Sequence, residues 1–547
     1  MAFKKVFEAT ISTIISPRNR LPTASAATQT MTEHYDIIII GTGAGGGTLA
    51  HRLAPSGKKI LILERGTFLP REKDNWNPVE VTKKDRYFNA ETWQDREGKI
   101  LKPAAGYWVG GNTKFFGGTL FRAREAEFNT VIHKGGISPA WDLKYADFEP
   151  YYTQAEQLYN VHGKRGLDPI EPWTTAEYPF PAISHEPRIQ AMSDDLTAKG
   201  LHPFYLPMAI KLNEAQQFLS ECIRCETCDG HPCLLHAKAD AEVMTVRPAI
   251  EYPNITLLTE AKVTRLHTSA SGREITAVET EVGGEVKLFR SDIVVVAGGA
   301  INSAALLLRS TNDRHPQGLA NSSGQVGRNF MKHNCGVVIG VTAQANPTVF
   351  QKTLGVNDFY WGEPDFPYPM GQIQLSGKVN REMFEQGVPL KIDADISPTD
   401  AALHSVDWWL MGEDLPDSNN RVSLRGDRIS LEYTDNNNES FDRLVDRWID
   451  VLKSISQGEG YANDFNSNSH YYRSNFPLRW VAHQCGTCRF GTEPKTSVLD
   501  INCRAHEVDN LYVVDGSFFP SNIGSNPTLT IVANAIRVGD CLIDRLE

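Results

Sequence analysis

The sequence has no apolar run long enough to cross a bilayer: IIIIG at 37–41 and IVVVAGG at 293–299 have the length of buried strands. It has no positive excess either. Lys and Arg number 55 against 66 Asp and Glu, a net charge of −11, which argues against nucleic acid and anionic membrane as partners. No internal repeat or low-complexity tract occurs, so solenoid and array folds are excluded. Nine cysteines, odd in number and mostly clustered, do not form the framework of a small disulfide-stapled secreted domain, and the cytoplasm is the expected location. Export is the alternative, from Lys4 and Lys5 and an A-x-A pair at Ala24 and Ala26, but Glu8 spoils the apolar stretch between them. Residues 1–30 therefore read as a tail, and 547 residues in all imply two domains.

What is present begins at Tyr35. Ile37 to Ile40 form a strand apolar on both faces, followed at once by Gly41, Gly43 and Gly46 of a GxGxxG turn. Leu49, Ala50, Leu53 and Ala54 recur at helical spacing, and Ile60 to Leu63 make a second strand ending at Glu64. This is a βαβ unit for a dinucleotide. The first glycine serves the tight turn, the second the approach of backbone amides to a pyrophosphate, and the third helix packing; Glu64 accepts from both ribose hydroxyls. The helix N-terminus favours the phosphates.

Further along, Gly110, Gly111, Asn112 and Thr113 form a glycine loop that brings backbone close to something flat or anionic, or else a plain hairpin turn. A second strand–glycine–helix element, SDIVVVAGGAINSAALLLRS at 291–310, suggests an enclosed cofactor. Cys222, Cys225, Cys228 and Cys233, with His231 and His236 nearby, suit an iron–sulfur cluster or zinc, or equally a set of packed thiols or disulfides. Tyr360, Trp361, Trp408 and Trp409 suit either sugar stacking or a core. RVSLRGDRISLEYT reads as antiparallel strands and SFDRLVDRWIDVLKSI as a helix.

Near the C-terminus, His483 precedes a glycine turn, and Asn526 follows 43 residues later directly before Pro527, as an N-cap and N1 pair would. Between them a strand ends at Asp515 and Gly516, placed to hold a cofactor's sugar or phosphate.

Together these segments, with VGGNT, GGAINSAALLL, HQCGTCRFG and DGSFFPSNIGSNPTLT in that order, resemble the glucose–methanol–choline (GMC) oxidoreductases from Tyr35 to the C-terminus. HAKADAE, VGGNTKFF and SHEPRIQ are most similar to bacterial pyranose-oxidase-like members, including glycoside 3-oxidases. The resemblance implies a Rossmann-like α/β FAD-binding domain over 31–135, 240–333 and 500–547. It also implies a discontinuous α+β substrate domain on an antiparallel sheet over 136–239 and 334–499. It further implies FAD as cofactor, Val263 beside the adenine, His483 as base and Asn526 as its partner. The resemblance implies an alcohol or sugar as substrate and oxygen, a quinone or a carrier protein as electron acceptor, with transfer to a quinone or carrier running through the cysteine cluster if that holds metal. A non-redox lyase on the same fold is the other class of reading. Three features depart from the family pattern. Asn112 follows Gly111 immediately, Ala304 and Thr311 differ from the second signature, and Phe115 replaces the histidine of covalent members, so FAD is expected to be noncovalent.

Overall fold

The computed structural model describes residues 31–386, 396–455, 469–480 and 482–547. The expected tail, residues 1–30, lies outside them. Two sheets organise the chain. In the first, strands Ile255–Leu258, Ile60–Leu63, Met31–Ile40 and Glu285–Val296 lie side by side in parallel, and Leu511–Val513 joins the far edge, also in parallel. The register sets Ile37 to Ile40 between Ile60 to Leu63 and Ile293 to Val296, every one of these side chains buried. A run apolar on both faces is tolerated here because helices cover a parallel sheet. Helix Ala44–Leu53 packs on the last helix, Thr528–Leu546. Strands Ala261–Thr268 and Ile275–Val282 extend Glu285–Val296 as an antiparallel meander.

The second sheet is antiparallel throughout, in the order His470–Asn475, Asn334–Val341, Ser405–Gly412, Gln372–Leu375, Leu354–Val356, Pro203–Tyr205. Helix Asn438–Ile455 covers one face. Phe441, Leu444, Val445, Trp448, Val451, Leu452 and Ile455 recur every three or four residues and are buried, while Asp442, Arg443, Asp446, Arg447 and Asp450 lie between them. Trp448 meets Trp408 edge to face with ring centres 4.5 Å apart. The strands' period of two turns Trp408 and Ile373 into this core and Trp409 and Gln374 to the opposite side.

The fold class expected from the sequence is borne out, and two segments expected in the substrate domain pack in the core of the first sheet. Helix Tyr145–Leu158, expected in the substrate domain, buries Tyr145, Phe148, Tyr152 and Ala155 in the core of the first sheet and packs on the last helix. Cys485, Cys488, Phe490, Val498 and Leu499 lie in that same core. Both segments carry apolar faces that only the nucleotide-side helices and strands complete, a pairing invisible along the chain. The antiparallel strands of RVSLRGDRISLEYT also pair with Trp93–Gln94, crossing the assumed border. Among the described residues no helix is long and apolar enough to cross a membrane.

Trp448→Ala empties a fully buried site in the second core and is expected to lower unfolding free energy by about 3–5 kcal/mol, measured by urea denaturation.

Candidate active site

One cavity of about 460 Å³ runs from the GxGxxG turn to His483 and Asn526. At its first end Gly41 adopts φ +102°, and a Cβ there would stand 2.4 Å from the carbonyl oxygen of Ala297. At Gly46 a Cβ would meet the Gly41 carbonyl oxygen at 2.1 Å. Gly43 differs: a Cβ would find nothing within 4 Å, because this residue faces the cavity at the helix N-terminus, where no side chain caps the first turn. The second glycine loop lies directly upon it. Gly110 N donates to Thr42 Oγ1 at 3.1 Å, and a Cβ on Gly111 would be 3.1 Å from Gly43 Cα. Gly111 and Asn112 line the cavity, and Thr113 ties the loop together by donating to the Gly110 carbonyl and accepting from Ala241 N. Lys114 beneath it is buried, which opposes its charge, but ion pairs to Asp240 at 2.9 Å and Glu242 at 2.6 Å prevail and raise its pKa.

Glu64 lines the cavity with less freedom than expected. Its Oε2 accepts from Thr42 N at 3.1 Å and Thr42 Oγ1 at 2.5 Å, and its Oε1 accepts from Gly66 N at 2.9 Å. Three of about four acceptor positions are used, leaving room for one ribose hydroxyl rather than two. Burial raises its pKa against these bonds. Asp515 goes further. Its carboxylate accepts from Gly299 N, Ser303 Oγ, Ser517 N and Ser517 Oγ between 2.5 and 2.9 Å, so it is saturated. What it presents to the cavity is positioned backbone at Gly298, Gly299 and Gly516 instead of a free carboxylate. Val263 lines the cavity from strand Ala261–Thr268.

At the other end stand His483, Asn526, Trp409, Phe476, Trp480 and Gln374. The segment holding His483 is wedged in place. Cys485 and Met331 exchange backbone hydrogen bonds at 3.0 and 3.1 Å, and a Cβ on Gly486 or Gly516 would collide with the carbonyl oxygen of Asn329 or Gln484. Gly516, expected at the cofactor, lets the turn after Asp515 approach the segment carrying His483. Enclosure, and the neighbouring His333, push the His483 imidazole pKa down to about 3, so the ring is neutral. Its Nδ1 is buried without a hydrogen-bond partner among the described residues.

Asn526 does not cap the last helix. The helix begins at Thr528 with Pro527 at the cap position and no side-chain cap bond, and Thr528 rather than Pro527 reaches the cavity wall. The Asn526 amide turns instead to the second sheet, where its Oδ1 accepts from Gln372 Nε2 at 3.5 Å; Gln372 also donates to Gln374 at 3.1 Å. The preceding loop is pinned from several sides. Ser521 accepts from Trp141, Asn522 donates to Asp414, the Ile523 carbonyl accepts from His333, and Gly524 N donates to Glu127. Burial raises the Glu127 carboxyl to about 7. No local motif marks His333, Gln372, Asp414 or Glu127; only the meeting of the two sheets brings them here. Of the four aromatics, Trp409 lines the cavity, Trp408 and Tyr360 are core, and Trp361 packs on Tyr360 at 5.0 Å.

The cysteine cluster does not fit a metal. Cys222, Cys225, Cys228 and Cys233 surround one small cavity of about 20 Å³, but all four are free thiols. Among the described residues no three His, Cys, Asp or Glu side chains converge to hold an ion. Burial pushes the Cys222 thiol up to about 12 and raises Cys228 as well, which disfavours the thiolate a metal would need at those two positions. The loop is fastened by other groups: Lys238 Nζ donates to the carbonyls of Cys228 and His231, and Lys352 pairs with Asp229. Its Glu226, Asp229, Gly230 and His231 close one wall of the large cavity.

Two family profiles, each described as GMC oxidoreductase, match residues 35–335 and 416–535. The chain belongs to the GMC oxidoreductase family and is an FAD-dependent enzyme acting on CH–OH donors. It is 29% identical to 6'''-hydroxyparomomycin C oxidase of Streptomyces lividus over 538 residues, covering 94% of this chain and 92% of that one. It is also 29% identical to paromamine 6'-oxidase of Streptomyces fradiae, covering 92% and 90%. Among solved structures, pyridoxine 4-oxidase from Mesorbium loti superposes with a TM-score of 0.64 at 20% identity, over 93% of this chain and 99% of that one, a likeness of fold.

The open space at Gly43 fits a dinucleotide phosphate and separates binding from folding. Gly43→Leu is expected to leave the apoprotein's thermal midpoint within about 2 °C, the shift for a few tenths of a kcal/mol, while weakening FAD at least about tenfold. Titration of FAD onto the variant apoprotein measures this.

Proposed function

We propose that this member of the GMC oxidoreductase family oxidises a CH–OH group of a sugar or glycoside to a carbonyl, with noncovalent FAD in the cavity and oxygen as final electron acceptor. The carrying observation is that a neutral His483 and an oriented Asn526 amide open onto the same cavity as the dinucleotide turn. Bound FAD supplies the hydride acceptor. His483, with its buried Nδ1, offers Nε2 to the substrate hydroxyl and takes its proton. Asn526 has its Oδ1 occupied by Gln372, which leaves the NH₂ to donate to the oxygen as it becomes an alkoxide. The two together develop and stabilise negative charge on the carbon-bound oxygen, the condition for hydride departure.

A sugar is supported by the walls around the same end of the cavity. Trp409, Phe476 and Trp480 offer flat apolar faces, while Gln374, Ser376 and Glu226 offer hydrogen-bonding groups. The relatives named as oxidases of paromamine and of 6'''-hydroxyparomomycin C support the same substrate class and oxygen as acceptor. Phe115 in the cavity wall carries no nucleophile for a flavin bond, which supports noncovalent FAD. Without a metal-ligand set in the cysteine loop, electrons have no relay there, so this route to a carrier protein has no support.

The test is anaerobic mixing of holoenzyme with monosaccharides, glycosides and simple alcohols. A sugar or glycoside is expected to bleach the flavin, and air to restore it; no bleaching by any of them would favour a lyase. His483→Ala is expected to slow that bleaching by roughly 10² to 10⁴ with FAD retained. The pH dependence has a definite sign. A base acts when unprotonated, and with a pKa of about 3 His483 is unprotonated at all ordinary pH. The reduction rate is therefore expected to show no acid limb between pH 5 and 8, read by stopped flow across buffers of constant ionic strength.

A further inference from the structure

Resting on His483 as the base, we infer that His333 is its positioning residue: the Nδ1 lone pair of His333 receives the Nδ1–H of His483 as that ring takes up the substrate proton. A base that accepts at Nε2 carries its own hydrogen on Nδ1. In this structure that Nδ1 is buried and has no hydrogen-bond partner among the described residues. The neutral ring tolerates this poorly and the imidazolium worse, because the positive charge then spreads to a buried N–H with nothing to receive it.

The adjacent ring supplies what is missing. His333 lies with its ring centre 5.1 Å from that of His483, the two planes at 82°. Its Nε2 bonds to the Ile523 carbonyl oxygen. A carbonyl only accepts, so the hydrogen of His333 is on Nε2 and its Nδ1 holds a lone pair. That Nδ1 is also buried and, among the described residues, without a hydrogen-bond partner. A donor without an acceptor and an acceptor without a donor therefore sit on neighbouring rings, and a modest rotation of His483 or one intervening water joins them. His333 cannot be the ring that moves. Its backbone N donates to Asp414 at 2.9 Å, it holds φ +67°, and its far nitrogen is bonded to Ile523. The relay is balanced: one proton leaves the substrate hydroxyl for His483 Nε2, the Nδ1–H bond of His483 stays intact, and His333 remains neutral.

Two variants separate this role from merely holding Ile523. In His333→Asn the amide oxygen occupies the place of Nδ1 and restores the acceptor while giving up the bond to Ile523. In His333→Gln the amide NH₂ occupies the place of Nε2, keeping that bond and removing the acceptor. Each holoenzyme is compared with wild type and His483→Ala in anaerobic stopped flow, using the glycoside that bleaches the flavin, with FAD content and thermal midpoint measured in parallel. His333→Gln is expected to lower the limiting reduction rate roughly 10- to 100-fold, the worth of a charge-assisted hydrogen bond, with the glycoside's dissociation constant and FAD content unchanged within about twofold. His333→Asn is expected to stay within about fivefold of wild type even if its midpoint falls. The reverse order, two equally slow variants, or two unaffected ones would overturn the inference. If His483→Ala itself reduces at the wild-type rate, the base assignment fails first; if it is slow while His333→Gln is not, only the role of His333 falls.

Discussion

A single buried carboxylate, Asp414, holds the reaction end together. It lies two residues beyond strand Ser405–Gly412 and is fully enclosed. Its oxygens accept from Lys332 N at 2.8 Å, His333 N at 2.9 Å, Tyr433 OH at 2.8 Å and Asn522 Nδ2 at 2.9 Å. Burying an unpaired carboxylate is prohibitive, so these four donors are what allow it to remain inside. In return it fixes two segments at once. One carries His333 against His483; the other is the loop that runs into Asn526. Burial and the carboxylate raise the Tyr433 phenol, which stays protonated as a donor. Removing any one donor leaves part of the buried carboxylate unsatisfied, and its effect would spread to the segment carrying His333 and to the loop leading to Asn526, because both bond to it.

The nucleotide end was legible because its constraints are local. Four isoleucines, a glycine turn, a helix and a second strand occupy thirty consecutive residues, and each glycine's role follows from its neighbours in the chain. Gly41 and Gly46 are required by contacts with Ala297 and with Gly41 itself, and Gly43 by the cavity it faces. His483 and Asn526 were legible for a different reason: polar residues stood beside glycine and proline turns in a resemblance covering the whole chain. Their partners had no such signal. Gln372 sits in an ordinary strand and reaches Asn526 across 154 positions, and His333 reaches Ile523 across 190. Two misreadings have the same origin. Asn–Pro before a helix is a sound local pattern for a cap, but tertiary structure gave the amide a partner on another sheet. Dense cysteines suit a metal by spacing, yet the loop is fastened by Lys238 just beyond it and by Lys352, which reaches Asp229 across 123 positions.

Asp515 shows how far a correct location can diverge from the role assigned to it. A strand-end carboxylate near a dinucleotide invites the reading of a ribose or phosphate ligand. Counting its hydrogen bonds shows a brace that joins Gly299, Ser303 and Ser517 and so aligns two glycine turns on the cavity wall. The glycine-rich end of the cavity is thus built mainly from backbone, which a flat, anionic ligand can approach closely, while the end at His483 and Asn526 is built from side chains.

That division has a consequence for how the enzyme can vary. On the second sheet the strand period sends Trp408, Leu410 and Ile373 into the core under helix Asn438–Ile455, and Trp409 and Gln374 toward the substrate. Adjacent positions therefore answer to separate demands. A change at Trp408 must satisfy a close-packed interior, whereas a change at Trp409 alters the cavity wall and its packing on Phe476 and beside His483. Base, amide and their anchor at Asp414 lie outside that alternation, held by loops that bridge the sheets. Under the proposed function the cavity wall and the proton-transfer groups are nonetheless linked, because the cavity-facing Gln374 accepts from the same Gln372 amide that reaches Asn526.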